Sequence, residues 1–177
     1  LSFEDRFLLG QSLEHYRHLV NQIEEITVVI KQYVLERFER EYNLLIELPG
    51  VSAIVACVIL SEIGPNVEAF QSQGNLASWA GVCPGSYESA GIKKSSHTTQ
   101  GNKYLKSSLF QAGGIAGRSK DEAFHNLYAR ISGRSSKMKA IIACAHKMIR
   151  IIYKILSTGE HYDAKKALGL RQQARAN

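Results

Sequence analysis

The 177-residue chain is short of cysteine and proline and has no long apolar run. Cys57, Cys83 and Cys144 are widely spaced and make no Cys-x-x-Cys pair, which excludes a disulfide framework and a thiolate zinc site and points to a reducing compartment. The longest apolar run, Ala53 to Leu60, falls far short of the roughly 18 residues a membrane span needs. No basic-then-apolar leader opens the chain, so a cytoplasmic, nucleoid-associated location without membrane contact is expected. The first residue is Leu1 rather than Met, as in a piece of a longer protein. The six histidines, His15, His18, His97, His125, His146 and His161, are scattered, and no set of acids converges as a metal site requires. No Walker loop or dinucleotide fingerprint is present, so no cofactor is expected in this chain.

Positive charge is missing from one long stretch and crowded into the next. Val51 to Gly91 has no Lys or Arg, whereas Ile92 to Lys154 has thirteen against two acids, Asp121 and Glu122, within a net charge of +6. Cations concentrated on a folded segment suit a polyanion, because Lys and Arg that neutralise phosphates release condensed counterions; a solvated basic face is the alternative.

Apolar periodicity predicts an all-α fold. Leu9, Leu13, Tyr16, Val20, Ile23, Ile30 and Val34 recur at spacings of four and three, interrupted at Thr27, and make a heptad seam on a helix from about Leu8 to Leu45. Residues 1–45 are therefore expected to be a coiled-coil assembly region, 46–158 a compact helical domain, and 159–177 a flexible tail. Leu48-Pro49-Gly50-Val51-Ser52 followed by an apolar run reads as a helix-hairpin-helix-like element. Such a hairpin holds a phosphate on its helix amides or simply pairs two helices, and both readings stand. Asn75 to Gly81 is predicted to be a short helix with Leu76 and Trp79 facing inward. Three amphipathic helices follow around Leu105–Ile115, Phe124–Ile131 and Ile141–Leu156, the second preceded by a Ser119/Glu122 capping box.

Between these helices lies a long Ser/Gly/Lys loop, Val82 to Gly101, with no apolar period. A loop of this length in a compact domain is commonly functional. It holds Ser86, Ser89, Ser95 and Ser96 beside Lys93, Lys94 and His97. A serine hydroxyl attacks phosphorus only where a base or a positive field lowers the cost of losing its proton. From the residues alone, ordinary surface loop is much the better description, because Ser/Gly/Lys loops are common surface material.

The order Leu48-Pro49-Gly50, Leu76-Ala77-x-Trp79-Ala80-Gly81-Val82-x-Pro84, Tyr87-Glu88-Ser89-x-Gly91, Gly101-Asn102-x-x-Leu105-Lys106 and Ala140-x-x-Ala143-x-Ala145-x-Lys147 resembles the C-terminal domain of DEDD-type insertion-sequence transposases. That family includes Piv-type DNA invertases and bridge-RNA-guided recombinases. The resemblance spans roughly Leu44 to Leu156. It implies a DNA transposase or recombinase in which Ser89 is the nucleophile and forms a transient phosphoserine link to DNA. It also implies a separate domain of four acids binding a divalent metal such as Mg, absent from these residues, so that this chain alone would be inactive. DNA is the implied partner, with a guide RNA in the guided members and self-association through the N-terminal helices. Candidate phosphate contacts are Lys93, Lys94, Lys103, Lys106, Arg118 and Lys137. Ala90 and Lys106 stand where the family commonly has Gly and Arg. Two alternatives remain from the residues: a non-catalytic helical DNA- or RNA-binding module, and a coiled-coil oligomerisation scaffold.

Overall fold

A computed structural model describes residues 1–83, 87–89, 92–95 and 98–169, with the backbone alone at 87–89 and 92–95. Among the described residues seven helices form an all-α framework: α1 (Phe3–Ile46), α2 (Ala53–Ile63), α3 (Gln73–Trp79), α4 (Lys103–Ala116), α5 (Glu122–Ser132), α6 (Lys137–Thr158) and α7 (Ala164–Gly169). Two short antiparallel strands, β1 (Tyr87–Ser89) and β2 (Ile92–Ser95), lie within the segment that the sequence presents as a loop. Among the described residues no helix is long and apolar enough to cross a membrane.

α1 begins earlier than its apolar period suggests because Ser2 and Asp5 cap it reciprocally: the Asp5 amide donates to Ser2 Oγ (3.1 Å) and the Ser2 amide to Asp5 Oδ2 (3.0 Å). Its 44 residues make a rod of about 66 Å, broken once at Phe38 (φ −138°, ψ 36°). Thr27 interrupts the seam without leaving a polar group unpaired, since its hydroxyl donates to the Ile23 carbonyl at 2.6 Å. The seam itself is uncovered: Leu13 is 52% exposed and Ile23 63%, and only at Val34 does α1 enter the core.

Leu45, Leu48, Ala56 and Ile59 close the α1–α2 hairpin. Its tight turn requires Gly50, which has φ +84° and lies against α4; a Cβ there would strike the Ala112 carbonyl and stand 2.9 Å from the Ala116 amide. Ser52 starts α2 by accepting from the Val55 amide (3.3 Å). The turn is thus packed on protein, as helix pairing requires.

α6 is the hub, touching α1, α3, α4 and α5. Gly113 brings α4 so near that a Cβ would lie 2.8 Å from the Ala145 amide, which explains the small residues along this face of α6. Leu105, Leu109, Phe124, Met148, Ile149 and Ile152 are fully buried around that contact. Each contributes about 1.5–3 kcal/mol of apolar burial.

Three local expectations are corrected. α5 is capped by Asp121, whose Oδ1 accepts from the Phe124 amide (3.1 Å), while Ser119 holds the preceding turn by accepting from the Asp121 amide (3.2 Å). Leu76 is buried, but Trp79, the last residue of α3, is 39% exposed and tilts onto Phe70 at 5.3 Å between ring centroids. Beyond Thr158, where the sequence predicts a flexible tail, the chain folds back: Tyr162 donates to Asp121 Oδ2 (2.9 Å), His161 meets Glu47 (2.7 Å) and Ala167 is buried. Residues 170–177 of that tail lie outside the described residues.

Candidate nucleic-acid interface

The segment carrying Ser89 leaves the helical body at one point and returns beside it. α3 ends in a Schellman turn, with the Val82 amide donating to the Ala77 carbonyl (3.1 Å) and the Gly81 amide to that of Ser78 (3.0 Å). Val82 is fully buried and anchors the exit. α3 is itself held on α6, where Arg150 Nε donates to Gln73 Oε1 (3.1 Å) and Tyr153 to the Phe70 carbonyl (3.3 Å).

The return is made by Gly101 and Asn102. Gly81 (φ +71°) and Gly101 (φ +55°) face each other with backbone in contact, an approach that only two glycines allow. The Asn102 amide donates to the Trp79 carbonyl (3.0 Å), while its side chain caps α4 by accepting from Tyr104 (3.1 Å) and Leu105 (2.9 Å). Its Nδ2 donates to Glu62 Oε2 at the end of α2 (2.5 Å). Outside this stem stands the hairpin, in which Ser89 is the last residue of β1 and pairs with Ile92, and Glu88 pairs with Lys93. Lys94 follows on β2. Ser86, Ser96 and His97 lie outside the described residues.

The other predicted contacts divide. Lys103 is exposed on the first turn of α4, Arg118 is exposed just beyond its end, and Lys137 is exposed at the start of α6. Among the described residues the ion pairs engage none of these three, nor Arg130, Arg134 or Lys139, so this basic field is not neutralised by neighbouring acids. Lys106 is different: half-buried, it donates to the Thr99 carbonyl (2.6 Å) and lies 5.8 Å from the Phe110 ring centre, bracing the return of the loop.

Lys147 also turns inward. Its Nζ donates to the Ala123 carbonyl (2.7 Å) over the Phe124 ring, and burial lowers its pKa against the pull of Asp121. Burial raises the Cys144 thiol to about 11, so this sulfur is a neutral core group rather than a nucleophile. Among the described residues no three His, Cys, Asp or Glu side chains stand together as metal ligands. Sequence reasoning missed Glu62 and the bonds that tie Asn102 to Glu62, Trp79, Tyr104 and Leu105; the available signal was the Gly101-Asn102 pair immediately ahead of an apolar helical period.

Residues 42–129, which include the hairpin, the stem and α4, match the model of the transposase IS116/IS110/IS902 family. Similar proteins include a pilin gene-inverting protein of Moraxella lacunata, 30% identical over 158 residues that cover 86% of this chain and 48% of that protein. A putative transposase of Sinorhizobium fredii is 29% identical over 84% of this chain and 39% of its own length. The transposase for insertion sequence element IS1328 of Yersinia enterocolitica is 25% identical over 86% of this chain and 46% of its own length. The chain thus spans about half or less of these curated relatives. From the end of α1 into α5, the helical body is thus similar to the transposase IS116/IS110/IS902 family.

Proposed function

We propose that this chain is the nucleic-acid-handling and nucleophile-bearing part of a DNA recombinase. Ser89 Oγ attacks a backbone phosphorus, forming a new P–O bond as the bond to the leaving sugar oxygen breaks; the serine proton departs and the leaving oxygen gains one. Reversal onto a second strand end completes an exchange without hydrolysis. The observation that carries this reading is the placement of Ser89 in a hairpin whose stem is pinned between α3 and α4, in a family domain whose relatives are named as transposases and a gene-inverting protein. A carboxylate domain with its divalent metal is supplied separately in this proposal, and no step here is routed through it. Alone, the chain binds nucleic acid without recombining it.

The unneutralised cations Lys103, Arg118 and Lys137, with Lys93 and Lys94, hold DNA, and in a guided system an RNA as well. α1 brings two copies together through its uncovered seam. A groove of about 510 Å³ between α1 and α2, lined by Ile30, Val34, Phe38, Ile54 and Cys57, extends that apolar surface. In a full-length recombinase, Ser89→Ala abolishes strand transfer and leaves DNA affinity within twofold; retained transfer would eliminate Ser89 as the nucleophile. A purely binding module predicts no change in either quantity.

A further inference from the structure

We propose that Asn102 is a positioning residue: through Glu62 it fixes the stem from which the Ser89 hairpin projects. This rests on the reading of Ser89 as the reacting group and adds the device that aims it. Nineteen residues separate Gly81 from Gly101, and a segment that long keeps one placement only if its ends are held at definite points. The departing end is held by the Schellman turn and buried Val82. The returning end is held by Asn102, which alone among the described residues joins α2, the end of α3 and the start of α4, by bonds to Glu62, Trp79, Tyr104 and Leu105.

Capping does not by itself call for asparagine. Asp and Ser cap a helix equally well, and an acid there also suits the helix dipole. What the carboxamide adds is a donor on the same group as the acceptor, so that one side chain can cap α4 and bond the Glu62 carboxylate. Asn102→Asp is therefore a selective change. It keeps the cap and the backbone bond to Trp79, but replaces the donor facing Glu62 with a second carboxylate. Glu62→Gln on that background restores a bond of reversed polarity, with the glutamine amide now donating to Asp at position 102.

The test measures strand-transfer rate and DNA affinity in the full-length recombinase, together with amide hydrogen exchange in β1 and β2. For Asn102→Asp the first-order rate at saturating DNA falls on the order of 10- to 100-fold, as for a misplaced reacting group, while DNA affinity stays within twofold. Exchange in the two strands accelerates about tenfold, and exchange in α6 does not change. The double variant Glu62→Gln/Asn102→Asp recovers rate and protection to within about threefold of wild type, which a loss of general stability would not do. Wild-type exchange and rate in Asn102→Asp, or a double variant no better than Asn102→Asp, would overturn the proposal. Full activity in Ser89→Ala removes the nucleophile reading instead, and the exchange data then still decide whether Asn102 holds the stem.

Discussion

Gly81 and Gly101 meet backbone to backbone: a Cβ on Gly81 would lie 2.9 Å from the Gly101 α-carbon, and both residues have positive φ. Gly101→Ala therefore meets a steric obstacle and a left-handed conformation together, and should cost about 2–3 kcal/mol in urea unfolding. Gly10→Ala is the control. In α1, with nothing within 4 Å of the added methyl, it should be stabilising by up to about 1 kcal/mol. Equal stabilities for the two variants would mean that the stem is not closed.

The α1 seam makes opposite demands on stability and assembly. Asp at Val20 or Ile23 should dissociate oligomers in sedimentation experiments and leave the urea midpoint of dilute protein unchanged, because these positions lie outside the domain core. Leu45→Ala, at a fully buried position, should cost about 2–5 kcal/mol. A chain that is monomeric at high concentration before any substitution would refute assembly through the seam.

DNA affinity should fall steeply with salt. If about five phosphates are neutralised, log K against log salt has a slope of about −4 to −5 on duplex DNA. Lys103→Ala and Lys137→Ala should each flatten that slope by about one and weaken binding to all sequences alike. A slope near zero would exclude the basic field as the binding surface.

Acid should destabilise the domain through His146. Burial, with Arg150 nearby, holds this imidazole below its ordinary value of 6.5. The unfolded chain then takes a proton that the folded chain refuses, so this contribution to stability is complete above pH 6.5 and is lost as pH falls from there through the lower folded-state value. His146→Leu should reduce the drop in urea midpoint between pH 7.5 and 5.5; an identical drop would assign it to other groups.

Much of the helical framework is legible because it rests on local periodicity. The spacing from Leu9 to Val34 identifies α1, and the apolar faces around Leu105 and Ile149 identify α4 and α6, before any tertiary contact is known. The misses are long-range or terminal. A helical period puts Trp79 on the inward face, but it is the last residue of α3 and stays 39% exposed. Tyr162 reaches Asp121 across forty-one residues, a contact that leaves no local pattern in the tail. Ser119 and Asp121 are both good caps by type, and the turn geometry chooses between them. For the candidate site, the loop was recognisable by its lack of period, whereas Ser89 was distinguished from its neighbouring serines by family resemblance alone. The bond between Glu62 and Asn102 joins residues forty positions apart and is visible only in three dimensions.

The interruption of α1 at Phe38 gives the N-terminal rod mechanical leverage. About 50 Å of helix lies on the far side of that joint, so a rotation of only ten degrees there swings Leu1 through roughly 9 Å. A partner gripping the rod thereby converts a small adjustment beside the core into a displacement comparable with the spacing of two packed helices.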